Sequence, residues 1–302
     1  MLVIGSRGSQ LALWQARWIE ARLNQLGESC RIEIIRTTGD RIADAPLAGA
    51  GGKGLFTKEI EEALLQGSVD VAVHSLKDMP VELPAGLTLA AIPRREDARD
   101  ALIGTRLENL PQGARIGTSS PRRAAQLRSL RPDLCIEEIR GNLDTRLRKL
   151  DEGRYDAIVL AAAGLRRLGW EERIAELIPP DRLVPAAGQG ALAVETRDDE
   201  GSAWHLCRNL DHAESRAAAM AERAALAALG GGCQVPIGAY AHLDGGCLHL
   251  IAVVISPDGR SSVRGEHRAA IHDAEAAGRT LGARLLAEGA ARILQPSSPA
   301  HP

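Results

Sequence analysis

Residues 2–18 read LVIGSRGSQLALWQARW, a short apolar strand that leads directly into a helix. Leu2–Gly5 is apolar throughout, and apolar side chains at near-helical spacing predict a helix over Ser9–Leu26. The order then repeats, with strands predicted at Arg31–Arg36 and Val69–Val73 and a helix from Thr57 to about Gln66. A β-α-β-α-β order of this kind predicts an α/β layer with a mostly parallel sheet.

A second α/β unit begins near Ala114. Ser120-Pro121 places a capping hydroxyl and a first-turn proline at a helix start, and Ala191–Glu195 is predicted to be a strand that returns to the first unit. The other predicted elements of this unit are strands at Arg115–Thr118, Leu134–Ile139 and Ala157–Leu160 and helices from about Asn142 and Gly164.

From His212 onward the pattern changes to a smaller α+β unit. Its predicted elements are a long helix over Ala213–Leu229, strands at Ile237–Leu243, Cys247–Ile255 and Ser262–His267, and a closing helix from about Asp273 to Leu294. We therefore predict three domains: residues 1–95 plus about 191–210 as the first α/β lobe, 96–190 as the second, and 211–302 as the α+β third.

Composition narrows the classes of function. The formal net charge of the 302 residues is −2, so no global basic field points to nucleic acid, and no apolar stretch is long enough to span a membrane. The N-terminus lacks the features of a secretory leader, and the five cysteines are scattered without metal-ligand spacing. These features predict a cytoplasmic protein without a metal cluster, and nothing in the sequence demands more than a monomer.

Basic residues concentrate between Arg115 and Lys149. In that segment nine basic residues stand against four acidic ones. Its strongest part is Thr118–Arg123 (TSSPRR), where hydroxyls, backbone N–H groups and two guanidinium groups meet at a strand-to-helix junction. For Arg128 and Arg131 we favour a solvated helix face. The residues predicted to bind an anion beyond the carboxyl ends of strands are Arg7, Ser9, Ser120, Arg122, Arg123, Arg140 and Arg146. Arginine suits carboxylates and phosphates alike, so the anion stays open.

The strand ending in VAVHSLKDMP, residues 71–80, is a second candidate. Lys77 and Asp78 are adjacent, and such a pair is often a surface ion pair of little energetic value. Their position at the carboxyl end of a buried strand favours a functional role, in which the carboxylate acts as a base or stabilises a developing cation. His74 is assigned a structural role at the edge of the core.

Cys233 lies in a third candidate, the glycine-dense run GGGCQVPIG at residues 230–238. Glycine lets other groups approach the backbone closely, so the run suggests that the thiol is presented to a ligand. A nucleophile, a covalent anchor and an inert loop residue all fit the residues alone. The run GAGGKG at residues 49–54 resembles a phosphate loop only loosely, and a glycine-rich hinge or lid carrying Lys53 is equally compatible.

Eight strings in one order resemble the porphobilinogen deaminase (hydroxymethylbilane synthase) family over nearly the whole chain. They are SRGSQLALWQA (6–16), GGKGLF (51–56), AVHSLKDMP (72–80), GTSSPRRAAQL (117–127), RGNLDTRL (140–147), LAAAGLRRLG (160–169), PAAGQGALAVE (185–195) and GGCQVPIGAY (231–240). The resemblance implies two lobes like those of periplasmic solute-binding proteins and a third domain with a cofactor cysteine. It also implies a transferase of tetrapyrrole biosynthesis that condenses four porphobilinogen molecules head to tail, with release of ammonia, to 1-hydroxymethylbilane.

The resemblance also implies roles for individual residues. Cys233 would hold a dipyrromethane cofactor through a thioether, and Asp78, with Lys77, would be catalytic, its carboxylate stabilising the azafulvene cation left when ammonia departs. The implied cofactor-binding residues are Lys77, Asp78, Ser120, Arg122, Arg123, Arg140 and Arg146, and the implied substrate-binding residues are Arg7, Ser9, Lys53, Arg140, Arg146 and Arg167. Gly49 stands where some relatives have lysine. If that lysine helps to hold the lid or a carboxylate, this chain does without it, and the lid role implied for Lys53 is affected.

Two other classes of protein compete with an enzyme. A two-lobed solute-binding or effector-sensing protein would explain the α/β lobes but not the third domain or Cys233. A nucleic-acid-binding reading of the Arg115–Lys149 segment lacks interleaved aromatic residues. We therefore expect porphobilinogen and the growing pyrrole chain to be the partners, and neither nucleic acid nor a membrane.

Overall fold

Three separate sheets organise the chain in a computed structural model that describes residues 1–41, 54–231 and 236–295. Two of the sheets have five strands and mixed direction, and the third has three antiparallel strands. The predicted fold class, two α/β lobes and a smaller α+β unit, is confirmed.

The first sheet belongs to lobe 1. Its strand order is β2-β1-β3-β10-β4, in which β2, β1 and β3 are parallel and β10 is antiparallel to both of its neighbours. Both β1 and β3 lie between other strands of this sheet, and helices pack on it, which is why their sequences are apolar. The elements of lobe 1 are β1 (Leu2–Ser6), α1 (Gln10–Gln25), β2 (Cys30–Ile34), α2 (Thr38–Arg41), α3 (Lys58–Leu65), β3 (Val71–Ser75), β4 (Leu87–Ala91), β10 (Leu192–Arg197) and α7 (Ser202–Arg208).

The second sheet belongs to lobe 2 and has the order β7-β6-β8-β5-β9. Here β7, β6 and β8 are parallel, and β5 is antiparallel to its two neighbours. The elements of lobe 2 are β5 (Asp100–Ile103), β6 (Arg115–Gly117), α4 (Pro121–Leu130), β7 (Cys135–Glu137), α5 (Leu143–Asp151), β8 (Ala157–Ala161), α6 (Ala162–Arg167) and β9 (Ile174–Ile178).

The two lobes share one topology. In each, the fourth strand of the sheet is the one by which the chain enters from the other lobe: β5 enters lobe 2, and β10 returns to lobe 1. The linking segments at about residues 92–99 and 185–191 therefore run side by side, and Glu96 N donates a 3.1 Å hydrogen bond to Gly190 O. The parallel strands of both sheets end near these linking segments. The loops that follow those strands therefore face a cleft between the two lobes.

A helix pair covers one face of the third sheet. Gly278 of α9 lies so close to α8 that a Cβ there would be 2.2 Å from Ala221 O, so the alanine-rich sequence of α8 permits tight helix packing. The elements of this C-terminal domain are α8 (Ala213–Ala228), β11 (Ile237–Asp244), β12 (Cys247–Ile255), β13 (Ser262–Ala270), α9 (Ala274–Leu285) and α10 (Ala291–Leu294). The predicted closing helix is interrupted, because Gly289 has φ 114° within a π-helical turn.

Glu222 of α8 connects the C-terminal domain to both segments that link the lobes. It is fully buried and accepts hydrogen bonds from both Nη atoms of Arg95, from Gly188 N at 2.7 Å and from Ala241 N at 2.7 Å. Burial raises the pKa of Glu222, and the charge and hydrogen bonds of Arg95 oppose that rise. Since Arg95 and Gly188 belong to the two linking segments, the C-terminal domain contacts the segments between the lobes.

Five helices and strands of the described ranges were not predicted from sequence: α2, β4, β5, β9 and α7. The three strands have four or five residues each and do not alternate in polarity. Pairing with strands distant in the chain decides their structure, and no local pattern reports such pairing.

Candidate active site in the cleft between the lobes

The cleft contains a pocket of about 90 Å³ that both lobes line, and we call it the cleft pocket. Lobe 1 contributes α1 and the end of β3 with the turn after it, and lobe 2 contributes α4, α5, β8 and α6. The returning linking segment contributes Gly190 and Ala191. Of the predicted site residues, it brings together Lys77, Arg123, Arg146 and Arg167. The other lining residues are Leu11, Ser75, Leu143, Leu160, Ala161, Ala163, Gly164 and Ala191. Four basic side chains around a small volume suit a ligand with several carboxylates.

The turn after β3 presents Lys77 and Asp78. Leu76–Asp78 forms a single 3₁₀ turn, in which Leu76 is buried, Lys77 is half-buried and Asp78 is exposed. Burial lowers the pKa of Lys77 to about 8; the charge of Asp78 opposes this, and Arg123 adds to it. A lysine with this pKa is charged at neutral pH and close to its titration range.

Arg122 and Arg123 meet a protein carboxylate at the start of α4. Arg123 Nε lies 2.8 Å from Asp100 Oδ1, and Arg122 Nη1 lies 2.7 Å from Asp100 Oδ2. Asp100 is completely buried, and both arginines are at most 5% exposed. Burial alone would raise the pKa of Asp100, but the two guanidinium groups hold it well below its ordinary value.

This arrangement corrects the simple expectation that both guanidinium groups at this helix start are open to a ligand. Arg122 also donates to Val184 O at 2.7 Å and does not line the cleft pocket. Arg123 donates to Val159 O at 3.0 Å and still lines the pocket. The physical reason is desolvation: two cations at a buried helix start need an internal anion, and Asp100 provides it. Ser120 caps α4, its Oγ accepting from Arg123 N at 3.4 Å.

Arg146 and Arg167 approach the pocket from lobe 2. Arg146 Nε donates to Gly141 O at 2.8 Å, and Arg167 Nη2 donates to Gly190 O at 2.7 Å. Burial lowers the pKa of both guanidinium groups to about 10; for Arg146 the nearby charge of Arg123 adds to the effect. Both remain cations at neutral pH, bonded to neutral carbonyls rather than to carboxylates in these contacts, so their charge remains available to an anion.

The remaining predicted cations lie around this centre with protein partners of their own. Arg140 pairs with Glu138. Arg7 Nε donates to Asp40 Oδ1 at 3.0 Å, and its guanidinium lies 4.1 Å from the centre of the Phe56 ring. Burial would raise the pKa of Asp40, but Arg7 and Thr37 together hold it below its ordinary value.

Ser9 and three other residues play structural parts. Ser9 Oγ caps α1 by accepting from Ala12 N at 3.3 Å. His74 is buried, with Nε2 3.1 Å from Glu195 Oε2, which agrees with its assigned structural role. Arg131, predicted to be solvated, instead donates to the carbonyls of Leu107 and Leu110. Arg128 is half-buried and donates to Pro257 O at 2.9 Å.

Three residues of the sequence argument fall outside the described ranges: Gly49, Lys53 and Cys233. Their roles stay predictions. Within the described ranges, no cluster of three or more His, Cys, Asp or Glu side chains could hold a metal ion. Within the same ranges, no helix is both long and apolar enough to cross a membrane.

Sequence reasoning missed Asp100, Gln189 and Gln15. Gln189 Nε2 donates to Asp100 Oδ1 at 2.9 Å, and Gln15 Nε2 donates to Ser75 Oγ at 2.9 Å. Gln189 lies in the quoted string PAAGQGALAVE and Gln15 in SRGSQLALWQA, and these two strings were the available signals. Asp100 begins a strand that was not predicted, so its position beside α4 had no local signature.

Family models match most of the chain. The model described as porphobilinogen deaminase, dipyromethane cofactor binding domain, matches residues 2–204, and the C-terminal domain model of the same enzyme matches residues 217–287. The chain belongs to the porphobilinogen deaminase family. It is a transferase of tetrapyrrole biosynthesis, and residues 2–204 form its cofactor-binding part.

Full-length relatives agree with the family models. The chain is 53% identical over 298 residues to the porphobilinogen deaminase of a Roseiflexus species, covering 97% of this chain and 98% of the relative. It is 50% identical over 297 residues to that of Syntrophobacter fumaroxidans, covering 97% of this chain and 96% of the relative. A solved periplasmic substrate-binding protein from Coxiella burnetii is 16% identical, with a TM-score of 0.44, over 70% of this chain and 91% of that chain.

The charges that line the cleft pocket suit the cofactor that the family model names. A dipyrromethane made from two porphobilinogen units carries acetate and propionate side chains, so it needs several cationic partners in a confined space. Lys77, Arg123, Arg146 and Arg167 supply them around the cleft pocket.

Proposed function

We propose that this enzyme condenses four porphobilinogen molecules head to tail, releases ammonia at each step and yields 1-hydroxymethylbilane. The observation that carries the proposal is the convergence of Lys77, Arg123, Arg146 and Arg167 from two lobes on one pocket next to Asp78. A solute-binding protein would need such cations too. It would not need the C-terminal domain, which the family model for that region identifies as part of the deaminase.

The cationic side chains bind and orient the substrate. Each porphobilinogen brings two carboxylates, and a chain of pyrroles accumulates them, so binding requires guanidinium and ammonium groups on several elements. Arg123, Arg146 and Arg167 lie on lobe 2, and Lys77 lies on lobe 1. Asp100 fixes the orientation of Arg123. We propose that Arg7, Ser9, Ser120, Arg122 and Arg140 act at the margin of this site, and that Lys53 acts from the lid.

Asp78 acts on the charge that develops during loss of ammonia. When the aminomethyl group of the substrate loses ammonia, positive charge spreads to the pyrrole nitrogen, whose N–H can donate to a carboxylate. Asp78 is exposed beside the cleft, on a turn whose flanking residue Leu76 is buried. Lys77 places a cation beside it that suits a substrate carboxylate.

The cofactor would be held by Cys233 through a thioether and by Lys77, Asp78, Ser120, Arg122, Arg123, Arg140 and Arg146. When bound, the dipyrromethane supplies the free α-carbon from which the pyrrole chain grows. Support for Cys233 comes from the sequence: it lies in the string GGCQVPIGAY, directly after α8, in the domain beside the linking segments.

An intact-mass measurement tests the proposal. Freshly purified active protein should be heavier than its sequence by two linked pyrrole units, and Cys233→Ser should lack that excess. Cys247→Ser is the matched control, because Cys247 is a free thiol of the same predicted domain, and this variant should retain the added mass. A bare-sequence mass in active protein would refute the covalent cofactor.

We also propose the organisation predicted from sequence: domains 1–95 with about 191–210, 96–190 and 211–302, in a cytoplasmic monomer. Every strand of each sheet falls within its predicted segment, which supports the division. Four described cysteines are free thiols, which supports a reducing compartment. Light scattering of the purified protein would test the monomer.

A further inference from the structure

Arg223 connects the C-terminal domain to the chain segment that follows Asp78. It lies on α8, and its Nη2 donates to Pro80 O at 2.8 Å and to Val81 O at 2.7 Å. The side chain is buried, with the residue 6% exposed, although it contacts a backbone segment of the other domain. Burial of a cation costs desolvation free energy, and the two hydrogen bonds to backbone carbonyls offset part of that cost.

The turn that carries Asp78 is held from two sides. On the sheet side, Leu76 N donates to Ala191 O at 3.0 Å, and the Leu76 and Met79 side chains are buried. Gly188 packs so closely there that a Cβ would lie 3.1 Å from Lys77 N. On the exit side, Arg223 bonds two successive carbonyls, those of Pro80 and Val81.

A guanidinium suits this exit position better than another side chain would. Two neighbouring carbonyl dipoles point to one place, and a single Nη2 bears two N–H groups in a fixed plane that can serve both. Burial lowers the pKa of Arg223, and the charge of Glu195 opposes the shift, so the group remains a cation at neutral pH.

We propose that Arg223 is a positioning residue, which holds the Lys77–Asp78 turn in register with α8. The inference rests on the proposed role of Asp78. A small displacement of such a carboxylate is costly, since about 1 Å of misplacement can reduce a rate about 10²-fold.

The first experiment compares Arg223→Met with Arg216→Met, in protein whose intact mass shows it to be loaded with cofactor. Arg216 is the matched control: it lies on the same helix and its Nη2 also donates to two lobe 1 carbonyls, Leu89 O at 3.0 Å and Ala90 O at 3.1 Å. Both carbonyls lie within β4, outside the turn that carries Asp78. We expect Arg223→Met to lower kcat about 10²-fold with KM little changed, and Arg216→Met to keep kcat within a few-fold.

Chemical rescue measures whether an added guanidinium ion restores kcat when the Arg223 side chain is removed. A side chain that only stabilised the fold would not give this result. Arg223 lines a groove of about 670 Å³ between lobe 1 and the α8–α9 pair, so a small cation can reach the space that Arg223→Ala leaves. Guanidinium chloride at millimolar concentration should restore part of kcat in Arg223→Ala, whereas potassium chloride at equal ionic strength should not. Arg223→Lys, with one ammonium in place of the planar group, should be intermediate.

Three outcomes would overturn the inference: an unchanged kcat in Arg223→Met, equal losses in the Arg223 and Arg216 variants, or no rescue by guanidinium. If Arg223→Met does not fold, kcat of Arg223→Lys is compared with kcat of Arg216→Met, and the same outcomes apply. Failure of the proposed function appears elsewhere, as normal turnover in Asp78→Ala or as no added mass, so the two failures are distinguishable.

Discussion

The carboxylate of Asp100, at the first residue of β5, lies 2.8 Å from Nε of Arg123, whose side chain lines the cleft pocket. The strand that brings the chain into lobe 2 therefore supplies the anion that fixes a cation of the proposed site. Arg123 is thus held in one orientation before any ligand arrives, which lowers the ordering cost of binding an anion.

Replacing Asp100 with Asn should destabilise the protein strongly. The two guanidinium groups of Arg122 and Arg123 would remain buried beside an uncharged amide, and breaking such a buried pair costs about 3–5 kcal/mol. Urea unfolding followed by circular dichroism would measure the loss. Asp151→Asn is the control, because its pair with Arg173 is solvent-exposed and should contribute little.

The same pair predicts the acid stability of lobe 2. The pKa of Asp100 is lower in the folded protein than its ordinary value of about 3.9. Its contribution is therefore complete above about pH 4 and is lost as the pH falls through the folded-state pKa. Unfolding midpoints of wild type and Asp100→Asn should stay well separated from pH 7 to pH 4. Convergence already at pH 5 would contradict this assignment.

Asp78→Ala should abolish most turnover while the fold is retained. The side chain is exposed, so its removal leaves no cavity, but the developing positive charge on the pyrrole nitrogen loses its carboxylate. We expect kcat to fall about 10²–10³-fold, as for removal of other groups that stabilise transition-state charge. Single-turnover ammonia release measures this step, with Glu82→Ala on the same segment as a control. Near-normal release would remove Asp78 from the mechanism.

Lys77 should impose an upper pH limit on substrate capture. Its pKa of about 8 means that the free enzyme loses this cation as the pH rises through 8, and with it a partner for substrate carboxylates. A profile of kcat/KM should therefore decline above about pH 8. Lys77→Arg should shift the decline upward, because arginine keeps its charge. A decline at the same pH in both proteins would assign it to another group.

Arg167→Met should weaken binding more than chemistry. Arg167 bonds Gly190 O and lines the cleft pocket, so its loss removes a charged hydrogen bond to a substrate carboxylate. Such bonds contribute about 1.5–3 kcal/mol, equivalent to a KM increase of roughly 10–100-fold. Arg128→Met is the control, since Arg128 lies outside the pocket and contacts Pro257. Equal effects in the two variants would place Arg167 outside the binding site.

Local sequence pattern accounts for much of the fold, but not for which strands pair or which buried charges meet. The helix at Pro121–Leu130 was predictable because Ser120 caps it and proline follows. The strand Asp100–Ile103 was not, because four residues carry no periodicity and the strand exists through pairing with β8 and β9. The same holds for the site: Lys77 and Arg123 were identified from their motifs, whereas the partnership of Arg122 with Asp100 was not.

The sequence by itself determined the two α/β units, the family and the cationic residues at strand ends, because periodicity, helix caps and motif strings are local properties of the chain. Only the tertiary structure decided which cations line the cleft pocket and which are paired internally. That outcome depends on desolvation: each buried charge is stabilised by whichever partner the packing of distant segments brings to it, as Asp100 is brought to Arg122 and Arg123.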